Sequence, residues 1–167
     1  MTDFGKHYEE SVLVSATPDE IFNFADNHKN FSAHMNKSSW MMGGGSMETE
    51  MDEGKGQKLG SHIKLHGKVF GFNLFLDEAI TKYSPPNHKE WKTVGNINLL
   101  VVDHYKLGFE IKPEKENSLL KVYIDYNLPK PFFTKLLGLL LGSIYAKWCV
   151  KQMIKGVDEH FKTSKEK

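Results

Sequence analysis

Asp103 stands most against its surroundings. It shares the parity of Tyr105, Leu107, Phe109 and Ile111 in a stretch whose other positions are Lys106, Gly108 and Glu110, so a regular strand turns its carboxylate toward the apolar side. A carboxyl withdrawn from water without a partner keeps its proton to higher pH, the condition for a general acid or base near neutrality. At the rim of a sheet, or turned outward by a bulge, the same residue is an ordinary solvated acid. His104 faces the opposite way on this reading, so the adjacent pair is no acid–base couple. Tyr105 and Tyr126 suit another task, because a buried phenol joins apolar area to one polar handle for a ligand.

The other reactive residues do not assemble. His62 and His66 share one face of an expected strand, but four strand residues separate them by about 13 Å, too far to chelate one ion without a third element. His7, His28, His34, His88 and His104 are scattered, with no helical His-Glu-x-x-His spacing. No serine sits in a Gly-x-Ser-x-Gly elbow. Gly43-Gly44-Gly45-Ser46 and Gly54-Lys55-Gly56 both miss the phosphate-loop spacing and read as turns or bulges. The lone Cys149 rules out an internal disulfide framework and a cysteine metal cluster, and reads as a small core hydrophobe. The residues thus offer no catalytic set, and they ask for no metal and no cofactor.

Bulk properties narrow the class. The 167 residues fit a single domain, 1–167, with room for a core and a pocket. Twenty-two basic and 21 acidic residues leave a net charge of +1, which gives no field for nucleic acid. Met1-Thr2-Asp3-Phe4 carries no basic and apolar leader, and no 18-residue uncharged apolar run is present. A soluble, cytoplasmic protein is the expectation.

The elements that must position these residues begin with Val12-Leu13-Val14-Ser15-Ala16, which alternates like a strand and runs straight into Thr17-Pro18-Asp19-Glu20. Thr17 suits the N-cap, Pro18 the first helical position, and Glu20 completes a capping box. Strands are expected near 8–16, 38–51, 58–68, 70–83, 88–95, 99–112 and 118–128, and helices near 18–26, 28–35 and 132–162. Leu120, Val122, Ile124, Tyr126 and Leu128 alternate with Lys121, Tyr123, Asp125 and Asn127, giving a sheet with one buried face that the long terminal helix must cover.

That helix has two apolar seams. Phe132, Leu136, Leu139, Ala146, Val150, Met153, Val157 and Phe161 form the one expected to face the sheet. Leu137, Leu141, Ile144 and Trp148 form the other and give way to Lys151, Lys155 and Lys162. The short helices near 18–35 are the expected cover for this second seam. A subunit partner, a ligand or a membrane surface are the other covers. Gly138 and Gly142 stand at Gly-x-x-x-Gly spacing, which outside a membrane reads as room for close packing.

The order strand, two short helices, six strands, long helix, opened by Val12, Val14 and Ala16 leading into Thr17-Pro18-Asp19-Glu20-Ile21-Phe22, resembles the START-like (SRPBCC, helix-grip) superfamily over nearly the whole chain. Glu53-Gly54-Lys55-Gly56 with Gly60, and Ile80-Thr81-Lys82-Tyr83-Ser84-Pro85-Pro86 followed by Trp91, are similar to that superfamily's glycine-rich approach to the third strand and its Pro-Pro turn. Within it, Leu136-Leu137-Gly138-Leu139-Leu140 most resembles the polyketide cyclase/dehydrase and lipid transport family. The resemblance implies an α+β helix-grip fold: a curved antiparallel sheet of about seven strands wrapped around the long C-terminal helix, two short helices after the first strand, and a hydrophobic cavity between sheet and helix. It implies binding or transport of a small hydrophobic molecule such as a lipid, isoprenoid or polyketide. Trp40, Met42, Phe72, Leu74, Trp91, Thr93, Asp103, Tyr105, Leu107, Phe109, Val122, Ile124 and Tyr126 are the candidate ligand-binding residues. The alternatives are a cyclase or dehydratase using Asp103, Tyr105 or Tyr126 on a polyketide-like substrate, and an interaction protein docking on a partner or membrane through the second seam. Transient membrane contact through the C-terminal helix and a homodimer both stay open.

Overall fold

The computed structural model describes residues 4–31, 33, 46–69 and 71–164. The chain runs β1 (Lys6–Val14), α1 (Pro18–Asp26), α2 (His28–Phe31), β2 (Ser46–Met51), β3 (His62–Val69), β4 (Phe72–Ser84), β5 (His88–Asn98), β6 (Tyr105–Glu114), β7 (Asn117–Tyr126) and α3 (Phe132–Thr163). All neighbouring strands are antiparallel, in one seven-stranded sheet of order β1-β7-β6-β5-β4-β3-β2. Strands β3 to β7 follow one another as a meander, and β1 closes on β7, so Tyr8 faces Ile124 and Val12 faces Leu120.

The strand-to-helix junction forms as its residues dictate. Thr17 Oγ1 accepts from the Glu20 amide at 3.3 Å, and Glu20 Oε2 accepts from the Thr17 amide at 2.8 Å, a complete capping box. Thr17→Ala is expected to cost about 1 kcal/mol in urea unfolding, the usual worth of such a cap. An unchanged midpoint would mean that packing of Ile21 and Phe22, not the cap, sets the start of α1.

The alternation in β6 and β7 holds. Leu107, Phe109, Ile111, Leu120, Val122, Ile124 and Tyr126 are all buried. Two boundaries move. The strand expected over 99–112 begins only at Tyr105, and the one expected over 58–68 begins at His62, behind a turn in which Gly60 has φ +77°. Of the second strand, 46–51 is seen, and 38–45 lies outside the described residues.

The helix seams come out differently from expectation. In the second half of α3, Ala146, Val150, Met153 and Val157 are buried, as the first seam requires. In the first half, Phe132, Leu136 and Leu139 are exposed, and Gly138 and Gly142 are the buried positions. A Cβ on Gly138 would stand 2.7 Å from Pro129 Cδ, and one on Gly142 would stand 2.9 Å from the Val101 carbonyl oxygen. Glycine is therefore needed for the helix to lie on the β5–β6 loop and Leu128. The short helices do not cover the second seam. They dock on the last turns of α3, where Phe24 stacks on His160 at 4.1 Å, and Leu141 and Ile144 stay about half exposed.

Candidate functional site

Between the buried face of the sheet and α3 lies a mostly apolar cavity of about 40 Å³, room for two or three waters. The sheet contributes Leu65, Leu76, Glu78, Trp91, Tyr105, Leu107 and Ile124 to its wall. His28 closes it from α2, Leu99 and Val102 from the β5–β6 loop, and Tyr145, Cys149 and Met153 from α3.

Glu78 is the chemical centre of this wall. It alternates with Leu74, Leu76 and Ile80 on the inward face of β4 and is 3% exposed. The Tyr105 hydroxyl donates a hydrogen bond to Oε1, and the nearby Trp91 indole favours the ionised carboxyl. Oε2 has no hydrogen-bond partner among the described residues. Burial is the largest influence on this group and outweighs both, pushing it up to about 7 from an ordinary 4.5. Glu78 therefore titrates near neutrality, and Oε2 is able to donate when the carboxyl is protonated and to accept when it is ionised.

The residues around it stay neutral. Burial, then the neighbouring Glu78, holds the Tyr105 phenol well above its ordinary range. Burial likewise raises Tyr145, which hydrogen-bonds the Cys149 thiol, and pushes that thiol up to about 12. Cys149 is thus an inert wall residue. The interior also holds an ion pair. Lys89, 2% exposed on β5, places Nζ 2.6 Å from Asp26 Oδ1 and 2.9 Å from the Asp26 carbonyl oxygen. Asp26 Oδ2 accepts in turn from the Tyr83 hydroxyl at 2.9 Å and from Gln57 at 3.1 Å.

Four of the expected lining residues, Trp91, Tyr105, Leu107 and Ile124, do meet in the cavity wall. Leu74, Phe109, Val122 and Tyr126 are buried in the core outside it, and Phe109 packs edge-on against Phe22 and Phe31 at 5.5 and 5.2 Å. Thr93 is a clamp: its Oγ1 donates to the Tyr105 carbonyl at 3.2 Å and accepts from the Tyr105 amide at 3.0 Å. Trp40 and Met42 lie outside the described residues. Phe72 corrects the expectation. Its parity is inward, but it is the first residue of β4, beyond the reach of the interior, and is 56% exposed.

Asp103 is the second correction. The Asp103 amide donates to the Asn127 carbonyl, and the Asn127 amide donates to the His104 carbonyl, so two residues oppose one and the parity of β6 is lost before it reaches Asp103. Its carboxylate instead meets its neighbour, with Oδ1 3.1 Å from His104 Nδ1. Asp103 is not in the cavity wall. His62 pairs with Asp77 at 2.9 Å and His66 with Glu48 at 3.3 Å. Among the described residues no three His, Cys, Asp or Glu side chains converge as metal ligands would.

Glu78 is the residue that sequence reasoning passed over. The parity test applied to Asp103, carried along Leu74, Leu76, Glu78 and Ile80, selects it. The same test along Lys89, Trp91 and Thr93 selects Lys89.

No family model matches the chain, and no curated protein matches it in sequence. Solved structures do match. A protein from Thermus thermophilus superposes with a TM-score of 0.67 at 16% identity, over 95% of this chain and 99% of that one. The Zhui aromatase/cyclase from Streptomyces sp. R1128 gives 0.70 at 13% identity, over 94% and 93% of the two chains. The chain has the helix-grip fold of these structures. Ginseng major latex-like protein 151 from Panax ginseng shares it, with a TM-score of 0.56 at 15% identity over 93% of this chain and 97% of that one. At these identities the likeness carries the fold, and the function rests on the site.

Proposed function

We propose that this helix-grip protein binds and carries a small hydrophobic molecule of the lipid, isoprenoid or polyketide kind between sheet and α3, with Glu78 pairing the molecule's one polar group. The observation that carries this reading is the unpartnered Oε2 of Glu78 in an otherwise apolar wall. Buried polar atoms are nearly always paired, and leaving one unpaired costs about 1–3 kcal/mol. A wall built only for packing gains nothing from that cost, whereas a ligand hydroxyl or carbonyl offsets it. A ring-bearing ligand needs about 300 Å³ or more, so its entry requires wall side chains to move, with Met153 and the Leu99 loop the adaptable ones.

Native mass spectrometry before and after solvent extraction should reveal one hydrophobe per chain. Rebinding assays should then show 2-naphthol held about tenfold more tightly than naphthalene, a preference that Glu78→Leu removes while sparing the hydrocarbon. Equal affinity of the unmodified protein for the two probes would sink the role of Glu78, and the absence of saturable binding would sink the ligand reading itself.

A carboxyl poised at about 7 beside the Tyr105 phenol also favours a second reading, in which Glu78 moves a proton on a bound polyketide-like substrate. Glu78→Gln would then keep binding and lose turnover.

A further inference from the structure

The first half of α3 presents to solvent what most helices bury. Phe132 is 87% exposed, Phe133 68%, Leu140 62% and Leu139 58%, and Leu136 and Ile144 are about half exposed. These residues span 13 positions, about 20 Å of helix, and at helical spacing they spread over the side opposite buried Gly138 and Gly142. The whole helix is long and apolar enough to cross a bilayer. Its second half forbids that in the folded protein, because Ala146, Val150 and Val157 have no exposed surface at all.

Charge says what meets the exposed half. From Tyr126 to Val157 the chain holds five lysines and no acidic residue. Lys130 and Lys135 flank the start of the apolar surface, Lys151 continues its face, and Lys147 lies on the same face with its ammonium 5.8 Å from the centre of the Tyr8 ring. Lys155 is drawn off by Glu159 at 3.6 Å. An apolar patch of this size marks an interaction site, and a collar of lysines with no acid among them fits an anionic lipid surface. A second copy fits poorly, since a twofold pairing across this face would set the same lysines against each other.

We propose that the first half of α3 is a docking surface for an anionic lipid bilayer. The helix lies in the headgroup region with Phe132, Phe133, Leu139 and Leu140 entering the acyl boundary, and Lys130, Lys135, Lys147 and Lys151 meeting lipid phosphates and carboxylates. Tyr145 and Cys149, directly after the patch and one turn further on, line the cavity. A docked protein thus holds its interior directly beneath the lipid. Docking of this kind does not depend on what the cavity contains.

Vesicle flotation tests this. The protein should float with vesicles containing about 30 per cent phosphatidylserine, several-fold less with phosphatidylcholine alone, and salt at about 0.5 M should weaken the association. Phe133→Glu and Leu140→Glu, both at exposed positions, should leave the thermal midpoint unchanged and lower vesicle binding at least tenfold. Lys135→Glu with Lys151→Glu should reduce the preference for phosphatidylserine by about fivefold per lysine. The proposal is overturned if the unmodified protein stays in solution at low salt. It is equally overturned if Leu140→Glu binds vesicles as well as the parent, or if the parent is a dimer that Leu140→Glu splits while vesicles bind neither.

Discussion

Asp26→Ala is expected to destabilise the protein by about 3–5 kcal/mol, read from urea unfolding midpoints at neutral pH, because it leaves a buried ammonium without its counter-charge. Lys89 is 2% exposed and its Nζ has two oxygens of Asp26 within 2.9 Å. Removal of the carboxylate takes away one of these and leaves only the backbone carbonyl. Burial already lowers the Lys89 pKa, against the pull of Asp26 and Glu78, and without Asp26 the ammonium must lose its proton or admit water. The Asp26 carbonyl ends α1, which has no basic residue in its own last turn, so Lys89 also supplies the positive charge that the end of a helix favours. Lys89→Met should cost less, since Asp26 keeps the Tyr83 hydroxyl and Gln57 as donors. The double variant Asp26→Leu with Lys89→Met should recover most of the loss, because no charge is then buried alone. If Asp26→Ala unfolds within about 1 kcal/mol of the parent, the ammonium is reached by water and the pair is not a folding constraint.

The local grammar of this chain was readable where one element suffices. The capping box of Thr17 and Glu20 needs only four consecutive residues, and the alternation of β6 and β7 needs only their own side chains. The same alternation reached Glu78 and Lys89, but Asp77-Glu78 and His88-Lys89-Glu90 are runs of polar residues that read as solvated until their partners are known. Those partners are distant in the chain: Tyr105 is 27 residues from Glu78, and Asp26 is 63 from Lys89. Asp103 failed for the opposite reason, because a bulge at Asn127 broke the parity that a regular strand would have kept. The expectation that Phe132, Leu136 and Leu139 face the sheet failed because the first half of α3 is apolar on every side, so the pattern could not single out the buried face. There the choice was made by size, since only the glycine face comes close enough to the Val101 carbonyl and Pro129.

Glu78→Gln should change how stability depends on pH. A carboxyl at about 7 in the folded chain, against an ordinary 4.5, binds its proton more tightly folded than unfolded. Below 4.5 both states hold the proton and Glu78 adds no pH dependence. Between about 4.5 and 7 the unfolded chain has released it and the folded chain has not, so stability falls as pH rises, and above 7 the loss levels off. Two and a half units correspond to about 3 kcal/mol. Glutamine keeps the size and still accepts from the Tyr105 hydroxyl through its carbonyl oxygen, but it cannot ionise. Urea unfolding of both proteins from pH 4 to 8 should therefore show curves that separate steadily, with the variant gaining about 3 kcal/mol on the parent by pH 8, while the histidines titrate alike in both and cancel. Parallel curves would mean that water reaches Glu78 and that it ionises as an exposed acid does. The slope also reads out the site's chemistry. A ligand that donates to Oε2 stabilises the ionised carboxylate, lowers its pKa and flattens the parent's curve. One that accepts from the protonated acid steepens it, so the sign of the change distinguishes a hydroxyl-bearing molecule from a carbonyl-bearing one.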